Sequence, residues 1–365
     1  MSEADPEWLL QRAEQLDRGP EQVGLIEEAI RLADLRQDED LGFEARVQLI
    51  EAGTFAGYPE QVMVAFSWCL ARCDKDSERF DERGLLWQYK WVALHLPNFP
   101  QVPRAKIEGV FQDMEERYRR AGRNMRPIHK LRWIMHRDMG ERETALAAWR
   151  AGRRLQRDYG ADCAACERND EVRYLLYVDK AKQALATALP LLSGLESCAT
   201  VPESTFGMVL IPLLKMGKTA EADRWHRQGV ERVRRQLTYV GSIGDHLSYS
   251  VIRGDLELAR ELIEETLGLA LKATDKRESY GFLCSALIWA EAEQAAGTES
   301  LALTLPAEIG GKGGEGYALP ELRAWLEGEL DTLAGRFDER NGNTHLREEV
   351  TRRREEAREL ARRAS

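Results

Sequence analysis

Apolar residues in this chain recur at helical spacing, in paired stripes separated by a turn. Val172, Leu175 and Leu176 form one stripe and Asp179 interrupts it. Ala184, Leu185, Ala188, Leu189 and Leu192 form the next, at i, i+1, i+4, i+5 and i+8. That pairing predicts a helical hairpin. The same mark, a turn residue with a small or aliphatic residue five positions later, recurs along the chain. It appears at Gly19–Gly24, Gly57–Val62, Gly140–Ala145, Asp179–Ala184, Gly217–Ala222, Gly254–Ala259 and Gly297–Ala302. The steps are 38, 83, 39, 38, 37 and 43 residues. The long step holds two units, with the unmarked turn at Pro97-Asn98-Phe99-Pro100, because proline stops a helix before itself. About eight hairpins of roughly forty residues follow. Asp5-Pro6 reads as an N-cap with proline at the first helical position. Period-two runs of β-branched residues are absent, so almost no sheet is expected.

A finer signature lies within the units. The turn glycine, the small residue five later and an aromatic four beyond that coincide at Gly140, Ala145 and Trp149, and at Gly57, Val62 and Phe66. Gly217, Ala222 and His226 follow the same spacing, and small residues come three further on at Cys69, Gly152 and Gly229. In these residues the chain resembles the tetratricopeptide (TPR) superfamily, over about residues 5–305. The period exceeds the common one of about 34, so the resemblance is to a degenerate array. Val64–Trp68, Leu86–Trp91, Asp162–Cys166 and Phe337–Asn343 are similar to segments of a group of poorly characterised bacterial TPR proteins. The resemblance implies an all-α fold, an α-solenoid wound as a right-handed superhelix. The expected layout is a repeat array over 1–305, a Gly-rich linker over 306–318 containing Gly310–Gly314, and a C-terminal helical pair capping the array over 319–365. The pair is expected at 319–336 and 344–363, joined at Asn341-Gly342-Asn343.

Composition narrows the setting. The 365 residues are 31% charged, which suits long solvated helices. Six cysteines are too few for a disulfide scaffold. Glu3, Asp5 and Glu7 precede any apolar stretch, which predicts no secretory signal. The apolar runs at 184–195 and 206–214 fall short of the roughly 18 residues of a membrane span. The expectation is a cytoplasmic protein with reduced thiols. Arginine outnumbers lysine by 41 to 11, typical of a GC-rich bacterial genome.

The sharpest chemical signal is Cys163-x-x-Cys166 with Cys198 about one repeat later. Both groups fall in connections between hairpins, and in a stacked array successive connections lie along one edge, roughly 10 Å apart. Soft sulfur ligands at this spacing suit a structural, tetrahedral zinc, with His226 as the candidate fourth ligand. His226 also occupies the core-aromatic position of its unit, which argues against that role. Inert buried thiols and a redox pair remain alternative readings. Cys69 and Cys73, four apart on a helix, and Cys284 read as core. Trp87 and Trp91 share a helix face and also read as packing between hairpins. Met216-Gly217-Lys218-Thr219 mimics the end of a phosphate loop but has Pro212 where that loop needs glycine. No HExxH, GxSxG or EF-hand pattern appears, so no enzyme is expected.

The net charge of -10 conceals an uneven distribution. Residues 101–157 carry 15 basic and 7 acidic side chains, a net of +8 between acidic flanks. Nucleic acid is a poor fit for so acidic a chain. In the TPR register the groove-facing positions of this region are Lys130 and Arg137, followed by Asn169 and Arg173 in the next unit. That set resembles a TPR carboxylate clamp, and such donors suit acid groups. The resemblance therefore implies a non-catalytic adaptor or scaffold that binds an acidic protein or peptide. The alternative is a regulatory sensor responsive to a small molecule or metal.

Overall fold

The structure is a computed structural model that describes residues 5–305, 309 and 316–364. Its described residues form seventeen α-helices, α1 to α17, and two strands of two residues each. The fold is therefore all-α, as the stripes predicted.

Backbone packing divides the chain into two compact units, 1–161 and 162–365. This boundary falls inside the stretch expected to be one array. In the first unit α1 (Pro6–Ala13), α2 (Pro20–Leu35), α3 (Glu39–Ala56), α4 (Pro59–Lys75) and α5 (Glu82–His95) pack each against the next. A 3₁₀ turn at Leu96–Asn98 stops α5 at the expected proline stretch. It leads to α6 (Arg104–Arg120), α7 (Arg126–Asp138) and α8 (Arg142–Arg153). One core runs through this unit from Leu9 to Met139.

The second unit pairs α9 (Ala164–Tyr177) with α10 (Ala181–Leu192), α11 (Glu203–Lys215) with α12 (Thr219–Val233), and α13 (Val240–Ile252) with α14 (Leu256–Lys272). First helices also pack on first helices: α9 on α11, α11 on α13, and α13 on α15 (Lys276–Ala295). Glycine permits the closest approach, since a Cβ at Gly244 would stand 3.0 Å from the Phe282 backbone. The final pair, α16 (Leu319–Asn341) and α17 (His345–Ala364), covers α15, and α17 also reaches α13.

Turn chemistry follows the sequence marks, with two exceptions. Gly57, Gly140, Gly217, Gly254 and Gly297 are left-handed, which glycine adopts without steric cost, and Asp179 takes the same region at φ 57°. Gly19 instead is extended and caps α2. Asp5 makes no side-chain cap for α1, and its carboxylate lies 3.6 Å from Arg36. Helix α16 runs five residues further than expected. Its buried Asp338 accepts hydrogen bonds from the Leu346 and Arg347 N–H groups at 2.9 and 3.2 Å, so it caps α17 from outside that helix. Of the expected linker, the glycine run 310–314 lies outside the described residues. Its far end pairs back: Leu301 lies opposite Tyr317, and Ser300 opposite Ala318.

Candidate metal centre

Cys163 precedes α9 as its N-cap, and the Cys166 N–H donates to its sulfur at 3.4 Å. This places Cys163 Sγ at the positive end of the helix and Cys166 one turn inside. Cys198 belongs to the connection between α10 and α11. There it forms an isolated bridge with Val201, its N–H donating to the Val201 carbonyl at 2.8 Å. The two segments are fastened on both sides of the thiols. Arg168 on α9 forms a paired ion bridge to Glu196 at 2.8 Å. Beneath, Val201 packs with Ala165 and Leu191, and Cys166 lies against them.

The sulfur atoms of Cys163, Cys166 and Cys198 consequently lie within 4.8 Å of one another, with Cys163 and Cys198 exposed. Tetrahedral zinc with sulfurs at about 2.3 Å needs them roughly 3.8 Å apart, so a small contraction would close the set. Partial burial raises the Cys163 thiol, but the Cys166 N–H and the neighbouring thiols outweigh this and lower it below its ordinary range. Burial, and then the hydrogen bond to Cys163 and its negative charge, hold Cys166 high. The donor set fits a soft or borderline metal ion.

His226 does not join this set. It lies mid-helix in α12, its ring tilted against Tyr249 at 4.8 Å and its Nδ1 3.0 Å from His246 Nδ1. Burial depresses it to about 4, and His246 is held well below its ordinary range, so both rings are neutral near pH 7. The other cysteines are core, as expected. Cys69, Cys73 and Cys284 are buried, with thiols raised by that burial to about 12, 11 and 12.

The expected carboxylate clamp is distributed over both units: Lys130 and Arg137 belong to the first, Asn169 and Arg173 to the second. Arg137 donates to its neighbour Asp138 at 2.7 Å. Asn169 is 6% exposed and internally committed. Its carbonyl accepts from the buried Thr205 hydroxyl at 2.7 Å and its amide donates to Ser204 at 3.3 Å, tying α9 to α11. Arg173 stands 3.7 Å from Asp170. The basic stretch behaves similarly. Arg117 is gripped by Asp74, Glu82 and Asp113, and Arg132 by Glu108 and Glu115. Trp133 and Trp149 meet at 5.1 Å, and of the two tryptophans read as packing, Trp91 packs edge-on against Phe55. Trp87 is exposed, with Lys90 Nζ 3.2 Å above its ring.

Two charged groupings escaped the sequence reading. Asp245 on α13 and Glu278 on α15 crowd against helix glycines: a Cβ at Gly207 would be 2.9 Å from Asp245, and one at Gly241 would overlap the Glu278 carboxylate. Surrounding protein, and then Asp275, raise Glu278 to about 7 although water reaches it. Arg173 and Arg353 act on both groups or on Asp245 in the opposite sense. The second grouping gathers arginines around Glu291 on α15. Neither has a linear motif, because each draws on helices far apart in sequence. No protein-family model and no curated protein matches this chain.

Proposed function

We propose that this protein is a non-catalytic binding scaffold, a TPR-like solenoid of helical hairpins with a metal-binding thiolate centre. The convergence of Cys163, Cys166 and Cys198 carries the metal reading, because the start of α9 and the connection before α11 together supply the three sulfurs. Zinc suits the donors, and its role is structural: it ties the start of α9 to the connection that precedes α11. No histidine or carboxylate among the described residues joins the ligand group, so the fourth position falls to water or to a donor from a partner. The purified protein is expected to hold one equivalent of zinc by elemental analysis. Cys163→Ser with Cys198→Ser should lose it and lower the melting temperature of metal-loaded protein alone. A metal-free wild type after growth and purification with zinc would sink this reading.

The scaffold's cargo is a protein or peptide segment bearing acid groups, for which Arg173 of the second unit is a donor. Arg173 supports this, since its side chain keeps part of its surface and its nearest carboxylate is at 3.7 Å. Asn169 and Arg137 serve the fold rather than the cargo. Charge reversal at Arg173 should weaken capture of a partner recovered from the native host. Unchanged capture by a folded variant would remove this assignment. A metal-responsive regulator is the second reading, favoured by the exposure of Cys163 and Cys198. It requires the partner's affinity to change on metal loading.

A further inference from the structure

The second unit contains a groove of about 730 Å³ between α13, α15, α16 and α17. Val251, Ile288 and Ala357 form its buried floor, and Ala292, Ala295 and Ala361 continue the lining. Alanine ends at Cβ, so α15 and α17 leave a trough where longer side chains would have met. The volume lies within the usual range for small-molecule sites, roughly 300–1,000 Å³.

Arginines crowd one wall. Glu291 presents a single oxygen, Oε1, to three guanidiniums: Arg354 at contact distance, Arg358 at 2.9 Å and Arg323 at 3.9 Å. Glu327 takes a share of Arg323 and Arg354, at 3.2 and 3.4 Å. Arg362 makes no ion pair among the described residues, its Nε donating to the Arg358 carbonyl at 3.3 Å. Four guanidiniums thus stand against two carboxylates. Each guanidinium carries five N–H donors, so most of those on the exposed Arg358 and Arg362 are open to an incoming anion. A planar fork of this kind matches carboxylate or phosphate in paired hydrogen bonds.

We infer that this groove binds a single-chain anionic amphiphile. Its carboxylate or phosphate head meets Arg358 and Arg362, and its tail lies along the alanine floor. Excess positive charge at the rim and an apolar trough behind it are complementary to an anionic amphiphile and disfavour a cationic one. This site is independent of the cysteine centre and of the proposed peptide cargo.

Titration calorimetry on the full chain with dodecanoate, dodecyl phosphate and dodecyltrimethylammonium, each below its micelle-forming concentration, tests the inference. The two anions should bind one per chain, and their relative affinity identifies the preferred head. The cation should bind at least about tenfold more weakly. Arg358→Glu with Arg362→Glu should weaken the anions by at least about tenfold, and Ala295→Trp, which fills the trough without altering charge, should do the same. Circular dichroism establishes that both variants are folded. Equal binding of anions and cation, unchanged affinity in either folded variant, or no binding by the wild type would overturn it. So would a wild-type dimer that dissociates in Ala295→Trp while dodecanoate gives no heat, since the groove would then belong to a second copy.

Discussion

Arg117 in the first unit and Glu291 in the second are mirror images. One arginine is gripped by three carboxylates, Asp74, Glu82 and Asp113. One carboxylate is gripped by three arginines, Arg323, Arg354 and Arg358. The first hub sits in the most basic stretch of the chain and has an excess of acid. The second sits in the acidic remainder and has an excess of base. Local stoichiometry, set by which helices meet, decides what each hub attracts, and segment charge does not. Arg117 is 7% exposed and belongs to the fold, whereas Arg358 is open to solvent and can serve a ligand.

Acid should separate α12 and α13 of the second unit from α4 to α6 of the first most strongly. The depressed His226 binds its proton in the unfolded chain near pH 6.5 but in the folded one only near 4. Its contribution is therefore complete above pH 6.5 and is lost as pH falls towards 4, about 3 kcal/mol in all. In the first unit the Arg117 bond lowers Asp74, whose contribution persists until pH falls below the ordinary carboxylate range of 3.8. Hydrogen exchange resolved by peptide should show α12 and α13 loosening between pH 6.5 and 4 while α4 to α6 stay protected. Simultaneous loosening of α4 to α6 would break the contrast, and His226→Leu should reduce the response of α12 and α13, with the buried His246 supplying what remains.

Removing the Arg117 hub should come next. Arg117→Met leaves three carboxylates facing one another. About 2–3 kcal/mol should be lost in urea unfolding, less than for a fully enclosed cluster because Asp74 and Asp113 are half exposed. A smaller loss, about 1–2 kcal/mol, is expected from Asn169→Ala, which strands the buried Thr205 hydroxyl. Glu291→Gln should cost least, about 1 kcal/mol, because water reaches the released arginines. It should also tighten anion binding in the neighbouring groove. If Glu291→Gln destabilised as much as Arg117→Met, the two hubs would be alike and the comparison would fail.

Much of this was legible in the chain. Turn glycines, apolar stripes and prolines located the helices closely, since helix termination and amphipathic spacing are local properties. The meeting of Cys163, Cys166 and Cys198 was legible because CxxC spacing and a further cysteine one hairpin later are informative by themselves. His226 illustrates the limit. Its identity suits a ligand, but its position in α12 places it against His246, and only packing revealed that partner. Asn169 suits a clamp by residue type, yet the approach of α11 commits its amide to Thr205 and Ser204. The Glu291 groove and the Asp245–Glu278 grouping had no linear signature, because helices distant in sequence assemble them.

The amino-acid sequence by itself determined the helical class, the positions of most turns and the grouping of the thiols, all of which follow from interactions within about one hairpin. The tertiary structure decided which charges cancel and which remain available. That follows from Coulomb interactions, which depend on distance in space, so 15 bases in a row of 57 residues say little until their partners from other helices are known.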